Sequence, residues 1–412
     1  MMMAVNFNCR CCKNKNLQAV LSLGKLPLAN ALLREQDLAK AEKTYTLDLA
    51  FCPDCSLVQI TETVDPTVLF GEYLYFSSYS QTMLKHAETL AALLIEKQGL
   101  SKNNLVIEIA SNDGYLLQYF KKKGIPVLGI EPAENIAKAA EEEKCIPTLC
   151  KFFNIETATQ LKNENKSADL IIGNNVLAHV ADLNEFVEGV RILLKKDGLA
   201  VFEFPYVGDM IENNEFDTIY HEHLCYYSLN SVKNLFARFD LTITDSVRIP
   251  IHGGSLRIFV RHDHTEVPGK SREALLNEEK KKGMDELPFY NSFANKVLHI
   301  KKEMLGLLDT LKSEGKNVVG YGAAAKGSTL LNYFGIGKDY IDYIVDRSPY
   351  KQGYYMPGTH LPILAPDKIK QTKPDYVLIL PWNIKDEIIE QMAFIQEWNG
   401  KYIIPIPKVI VT

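Results

Sequence analysis

The 412-residue chain is too long for one ordinary domain, and 46% hydrophobic with 24% charged residues suits two or three globular units. A formal net charge of −5 and a pI near 6.0 argue against a general nucleic-acid or anionic-membrane binder. No apolar run reaches the ~18 residues a bilayer span needs. The opening MMMAVNFNCRCCKNKN lacks the apolar core of a signal peptide. The expectation is a cytoplasmic protein with reduced thiols.

Residues 1–75 carry five of the eight cysteines and read as a turn-rich unit with little regular periodicity. Cys9-x-x-Cys12 and Cys52-x-x-Cys55 have the spacing of a four-thiolate zinc site, each knuckle turning two sulfurs toward one point. The gap between the pairs exceeds the commonest zinc-ribbon spacing, which a small insertion accommodates. Cys11 is the spare thiol and the alternative to Cys12 as a ligand. A core-poor segment of this size needs such a staple, and four thiolates leave no open position for catalysis by the metal.

Residues 76–267 read as an open α/β sheet. Ser80 to Gln98 has helical apolar spacing. The runs 105–110, 126–131, 168–175 and 199–205 read as buried parallel strands, with helices near 114–123, 133–144 and 183–196. Residues 241–249 and 255–262 read as an antiparallel edge pair about the turn His252-Gly253-Gly254. A boundary follows at Val267-Pro268-Gly269. Residues 268–312 form a mostly helical connector interrupted at Pro288, and 313–412 a second α/β unit. The fold class is therefore α/β: two Rossmann-like sheets behind a small zinc-binding unit.

The first parallel strand runs out into Ala110-Ser111-Asn112-Asp113-Gly114, with Glu108 at its edge. Small residues there let a ligand approach the backbone. The second strand ends at Glu131, where a carboxylate can accept hydrogen bonds from a ribose diol. The third ends at Asn174-Asn175, amides suited to an amino-acid or adenine moiety. A nicotinamide site normally shows G-x-G-x-x-G for a pyrophosphate. This loop lacks it, and Asp113 would repel phosphate. A sulfonium cofactor without phosphates, S-adenosylmethionine, fits better.

Downstream of the strand ending at Pro205, Tyr220-His221-Glu222-His223 packs a phenol, a carboxylate and two imidazoles into consecutive positions. That density of proton-transfer groups suits the carboxyl ends of parallel strands. In the last unit, the Gly-rich turn 320–327 leads into a helix. Its backbone N–H groups and Lys326 suit a phosphate, with Asp346, Arg347 and Lys351 after the next strand. A degenerate dinucleotide fold kept as scaffold is the rival reading, and true NAD binding a third.

The blocks CRxC…CPDC, YFSSYS, VIEIASNDGYLL, GIEP, NNVLAHV, FEFPY, YHEHLCYYS, HGGSLR and GYGAAAKGSTLLN…VDRSPYKQG resemble the nucleotide-deoxysugar C-methyltransferases, in that family's order and over nearly the whole chain. The resemblance implies a zinc-binding N-terminal domain, a class I methyltransferase core binding S-adenosylmethionine, and a C-terminal Rossmann-like domain. Ala110 departs from the family's usual glycine, tolerable if the backbone avoids the left-handed region. Cys11-Cys12 departs from its single cysteine.

The implied activity is methylation of a carbon, C-3 in the commonest outcome, beside the ketone of a nucleotide-linked 4-keto-deoxysugar. Methylating carbon needs an enolate: a base removes the α-proton and a donor holds the oxygen. The resemblance implies Tyr220, Glu222, His223 and His179 as active-site residues. In that scheme His223 is the base, directly or through water, Tyr220 the oxyanion donor and Glu222 the support of an imidazole, while His221 is structural. His252 is placed to approach the substrate or to sit at the surface. Tyr73 to Tyr79, with Tyr79 foremost, and Tyr321, Lys326, Arg347 and Lys351 are the expected substrate contacts. An oxygen or nitrogen acceptor, RNA included, is the alternative; the acidic balance opposes RNA. A scaffold with a dead site, or an oxidoreductase using the last unit, is a further rival. Monomer and homodimer both fit.

Overall fold

The structure, a computed structural model, describes residues 7–70, 76–251, 253–263 and 268–412. Its N-terminal unit is more regular than the sequence suggests. Strands β1 (Gln18–Pro27), β2 (Thr44–Phe51) and β3 (Val58–Ile60) form an antiparallel meander. Pro27 ends β1, and two register shifts break its alternation, which hides the strand from a periodicity reading.

The helix Gln81–Gln98 enters the central unit. Its N-cap Ser80 accepts the Met83 N–H at 3.3 Å, and Gly99 closes it in the left-handed conformation. Met83, Ala87, Leu90, Ala91 and Leu94 form its buried stripe. The sheet it covers contains β4 (Val106–Ile109), β5 (Val127–Ile130), β6 (Thr148–Leu149), β7 (Ala168–Asn174) and β8 (Leu194–Pro205). Next comes β9 (Cys225–Tyr226), two residues that pair antiparallel with β3 and so belong to the N-terminal sheet. Then β10 (Leu241–Ile249) and β11 (Ser255–His262) complete the central sheet in the order β10-β11-β8-β7-β4-β5-β6. Its strands are parallel from β8 to β6, while β11 runs antiparallel to β8 and β10 antiparallel to β11. The winding reverses at β4, which opens a crevice at the carboxyl ends of β4 and β7.

The connector contains helices Lys270–Lys282, Pro288–Asn291 and Phe293–Ser313. The break precedes Pro288. Gly283 ends the first helix at φ 69°, and Pro288 opens the next, where its missing N–H costs nothing. The last unit contains β12 (Val318–Tyr321), β13 (Ile344–Val345), β14 (Ile363–Leu364), β15 (Tyr376–Ile379), β16 (Lys401–Ile404) and β17 (Ile410–Val411). They run β14-β13-β12-β15-β16-β17, parallel except for β17, the order of a dinucleotide-binding sheet. A single large core runs through all three units. Among the described residues, no helix is long and apolar enough to cross a membrane.

Candidate active site

The ligand atoms of Cys9, Cys12, Cys52 and Cys55 all lie within 4.8 Å of one another. Sulfurs of Cys9 and Cys55 are 3.5 Å apart, and those of Cys12 and Cys52 3.4 Å. A tetrahedron with Zn–S of about 2.3 Å separates its sulfurs by roughly 3.8 Å, so the cluster fits one ion with little movement. Cys12, not Cys11, completes the four. Thiols this close cannot all ionise without a cation: hydrogen bonding to Cys52 and Cys55 draws the Cys9 thiol down, while hydrogen bonding to Cys11 and Cys52 drives Cys55 up. Buried Arg10 donates to the Ile60 and Glu62 carbonyls and ties this knuckle to the end of β3.

The crevice at the ends of β4, β5 and β7 is lined by buried polar atoms that have no hydrogen-bond partner among the described residues. These are Glu108 Oε2, Ser111 Oγ, Asp113 Oδ1 and both amide atoms of Asn174. Burial, with Asp113 and Glu131 nearby, pushes the Glu108 carboxyl well above its ordinary range. Glu131 accepts the N–H groups of Asn112 and Ala133, each at 3.0 Å, and burial raises it to about 6. So many buried groups in want of partners match a ligand with ribose hydroxyls, an ammonium and an adenine edge.

The loop geometry differs from expectation at Ala110. Its φ is 55°, in the left-handed region, and Asn112 and Gly114 also have positive φ. Alanine is held there by its neighbours rather than by avoiding the strain. Asp113 is spoken for on one side: Oδ2 meets Lys144 at 3.1 Å and the Ser78 hydroxyl. Ser77 N–H donates to Asn112 Oδ1 at 2.8 Å, so segment 77–78 braces the loop from outside. Asn175, at φ 55°, donates its N–H to the Glu203 carbonyl at 2.7 Å.

Glu203 itself was not among the expected residues. Burial opposes its ionisation, yet His86 at 2.7 Å and Arg257 at 2.6 Å hold it below the usual range. A glutamate inside the apolar run LAVFEFP was the available signal. Its partners come from a helix and from β11, which no local pattern links.

The run Tyr220–His223 does not leave the end of β8 directly. The helix Val207–Glu212 and the 3-10 turn Phe216–Thr218 intervene, and β9 follows the run. Pairing of β9 with β3, and of the Leu224 N–H with the Ala178 carbonyl at 2.7 Å, returns the run to the crevice beside β7. His179 and His223 meet edge to face, with centroids 4.8 Å apart. Tyr220 Oη lies 2.7 Å from His223 Nε2. His223 Nδ1 lies 3.0 Å from the Thr218 carbonyl, which can only accept, so Nδ1 carries the ring proton. The Nε2 lone pair therefore accepts from the phenol. Burial lowers His179 to about 4, so it is a neutral imidazole at pH 7.

Among the described residues, the Glu222 carboxyl has no imidazole as hydrogen-bond partner. That group reaches Asn30 of the N-terminal unit at 2.6 Å, and burial lifts it to about 7 against the charge of Lys351. Its backbone is what bonds His179. His221 Nε2 donates to the Tyr45 carbonyl, 3.2 Å away, and the imidazole packs on the Tyr45 ring, a structural place.

The expected substrate contacts are scattered around the Gly-rich loop. Lys326 is turned inward, with Nζ 4.5 Å from the Trp382 ring centroid and the carboxylates of Asp217 and Glu215 offsetting its burial. Asp346 accepts the Ala323 N–H at 2.8 Å, and Lys351 donates to the Ala323 carbonyl at 2.8 Å. Tyr321 bonds Gln391 at 3.2 Å and borders, with Arg347 and Lys370, a cavity of about 250 Å³. Arg347 is exposed and 3.6 Å from Glu387. Tyr79, 57% exposed, packs against Tyr350. Residues 73–75 and His252 lie outside the described residues.

Three family models match the chain: a zinc binding domain over residues 9–70, a methyltransferase domain over 83–246 and a C-methyltransferase C-terminal domain over 250–407. C-methyltransferase NovU of Streptomyces niveus is 36% identical over 403 residues, 97% of this chain and 95% of its own. The chain belongs to the C-methyltransferase family. It is an S-adenosylmethionine-dependent C-methyltransferase with a class I methyltransferase fold, and the family displaces an oxygen or nitrogen acceptor. A ubiquinone biosynthesis O-methyltransferase of Bartonella tribocorum is 22% identical over 193 residues, covering 43% of this enzyme and 78% of that one. Among solved structures, the magnesium protoporphyrin IX methyltransferase of Synechocystis PCC 6803 with bound SAH covers 48% of the enzyme and 100% of its own chain, at 14% identity and a TM-score of 0.37.

Proposed function

We propose that the enzyme methylates a carbon beside the ketone of a nucleotide-linked 4-keto-deoxysugar, C-3 foremost, through an enolate. The observation that carries this reading is the Tyr220–His223 pair, whose tautomer leaves a proton-accepting nitrogen in the crevice. A hydroxyl or amine nucleophile needs little activation toward a sulfonium, whereas a C–H bond needs a base and a donor for the enolate oxygen.

S-adenosylmethionine, held by Glu108, Ala110, Ser111, Asn112, Asp113, Gly114, Glu131, Asn174 and Asn175, supplies the electrophilic methyl group. His223 stores the proton. The substrate α-proton passes to the Tyr220 oxygen as the phenol proton passes to Nε2, leaving an imidazolium and a neutral phenol beside the enolate. The phenol then donates to the enolate oxygen. His179, neutral and edge-on to His223, keeps water from the ring. Glu222 holds the loop to Asn30 of the N-terminal unit. Lys351, Tyr79, Tyr321 and Arg347 border the side from which a nucleotide would enter, and Lys326 acts from inside. Cys9, Cys12, Cys52 and Cys55 would hold a structural zinc ion, with no open position for catalysis by the metal.

The test is a panel of thymidine, cytidine and guanosine diphosphate 4-keto-deoxysugars assayed for methyl incorporation, with NMR of the product. In heavy water with S-adenosylhomocysteine bound, deuterium should enter the substrate α-carbon. Methylation on oxygen with no exchange would reject the enolate scheme.

A further inference from the structure

The turn that fixes His223 is itself held by the last unit. Phe216, Asp217 and Thr218 are all buried. The Thr218 carbonyl that takes the His223 Nδ1 proton also receives the Tyr226 hydroxyl at 3.4 Å. Thr218 is fixed from behind, its N–H and hydroxyl both donating to the Glu215 carbonyl, at 3.1 and 2.7 Å.

Two of the turn's contacts then cross to the C-terminal unit. Asp217 Oδ2 accepts the Trp382 indole N–H at 2.8 Å, between residues 165 apart in sequence. Phe216 stacks on Phe334, with centroids 5.0 Å apart and planes 26° apart. Within that unit, Lys326 Nζ lies over the Trp382 ring, 4.5 Å from its centroid. A buried carboxylate is a costly choice for a mere packing contact, and Asp217 Oδ1 has no hydrogen-bond partner among the described residues. Burial raises Asp217 to about 6, with Lys326 and the indole N–H opposing the rise.

We propose that Asp217 and Trp382 are positioning residues for proton abstraction: the C-terminal unit, gripping the turn through this hydrogen bond, sets where the Thr218 carbonyl stands and hence which nitrogen of His223 is the base. Neither residue touches the reacting atoms. The last unit thereby serves the chemistry as well as any substrate contact it makes. The inference rests on the reading of His223 as proton acceptor.

The test uses the full-length, zinc-loaded enzyme labelled with ¹⁵N-histidine. Nitrogen shifts of His223, assigned by the loss of its signals in His223→Gln, should report a single tautomer protonated at Nδ1. Trp382→Phe and Asp217→Ala should mix the tautomers. With the nucleotide 4-ketosugar that the panel identifies, kcat should drop by at least about tenfold while substrate KM and S-adenosylhomocysteine affinity change little. Asp217→Asn, whose amide oxygen still accepts the indole N–H, should keep the tautomer and lose less activity than Asp217→Ala. An unmixed tautomer and unchanged kcat in Trp382→Phe and Asp217→Ala would overturn the proposal, as would Asp217→Asn behaving like Asp217→Ala. If one of the two does not fold, the other carries the measurement. Deuterium exchange surviving in His223→Gln would instead overturn the base assignment, a failure distinct from that of the positioning.

Discussion

The enzyme contains two Rossmann-like sheets, and their first loops occupy the same topological place with opposite character. After β4, the loop around Ala110 opens onto buried polar atoms of Glu108, Ser111 and Asn174 that have no hydrogen-bond partner among the described residues. After β12, the start of the Gly-rich loop is bonded from inside the protein. The Asp346 carboxylate caps the Ala323 N–H, Lys351 takes the Ala323 carbonyl, and Gly322 lies against Pro381. The glycine-poor loop thus borders the buried polar crevice, while Gly322 and Ala323 of the glycine-rich one are engaged by protein. Glycines signal that something approaches the backbone closely; in β12's loop that something is protein.

The strongest way to sharpen this contrast is to remove chemistry from one crevice only. His223→Gln should lower methyl transfer by roughly 10²–10⁴ while calorimetry finds S-adenosylhomocysteine affinity unchanged. Glu131→Ala should weaken S-adenosylhomocysteine by about tenfold to a hundredfold, through loss of charge-assisted hydrogen bonds. Asp346→Ala, its counterpart beside the glycine-rich loop, should leave that affinity alone. NADH binding by the wild-type enzyme would break the comparison outright.

Backbone swaps probe the same difference. A Cβ on Gly322 would stand 2.3 Å from Pro381 at φ 91°, so Gly322→Ala should cost about 2–3 kcal/mol by urea unfolding. Ala110→Gly, relieving a φ of 55°, should gain about 0.5 kcal/mol, the left-handed cost of alanine less the chain entropy glycine gives up.

Glu131 adds a pH signature. Its value in the fold, about 6, lies above the ordinary 4.5, so the folded state binds the proton more tightly than the unfolded chain. The stability this brings is full below pH 4.5 and is lost as pH rises through 6, amounting to about 2 kcal/mol. Glu131→Gln should flatten that part of the stability curve, measured as Tm against pH in the absence of cofactor.

The two α/β sheets were legible because their strands are short apolar runs bounded by loops, and the four-cysteine cluster because two CxxC pairs define it by spacing. What escaped was non-local. Strand β1 carries lysine, glycine and proline and breaks its own alternation. The two residues of β9 have no pattern at all and become a strand only beside Val58 and Gln59. The clustering of Tyr220, His179 and His223 follows the motif, yet the inward turn of Lys326 and the pairing of Glu222 with Asn30 depend on neighbours more than a hundred residues away. Motifs indicated which side chains matter, and tertiary packing decided which way each one faces.

Because β9 is woven into the N-terminal sheet, the boundaries suggested by sequence blocks are not seams along which the gene could be cut. A recombinant central unit, expressed alone, would leave β9 with an open edge and the proton-transfer loop without its backing. Exchanging the zinc-binding module between relatives would replace one wall of that loop. Inheritance should therefore act on the cysteine module and the Tyr220–Ser228 segment together, as one heritable piece split in sequence.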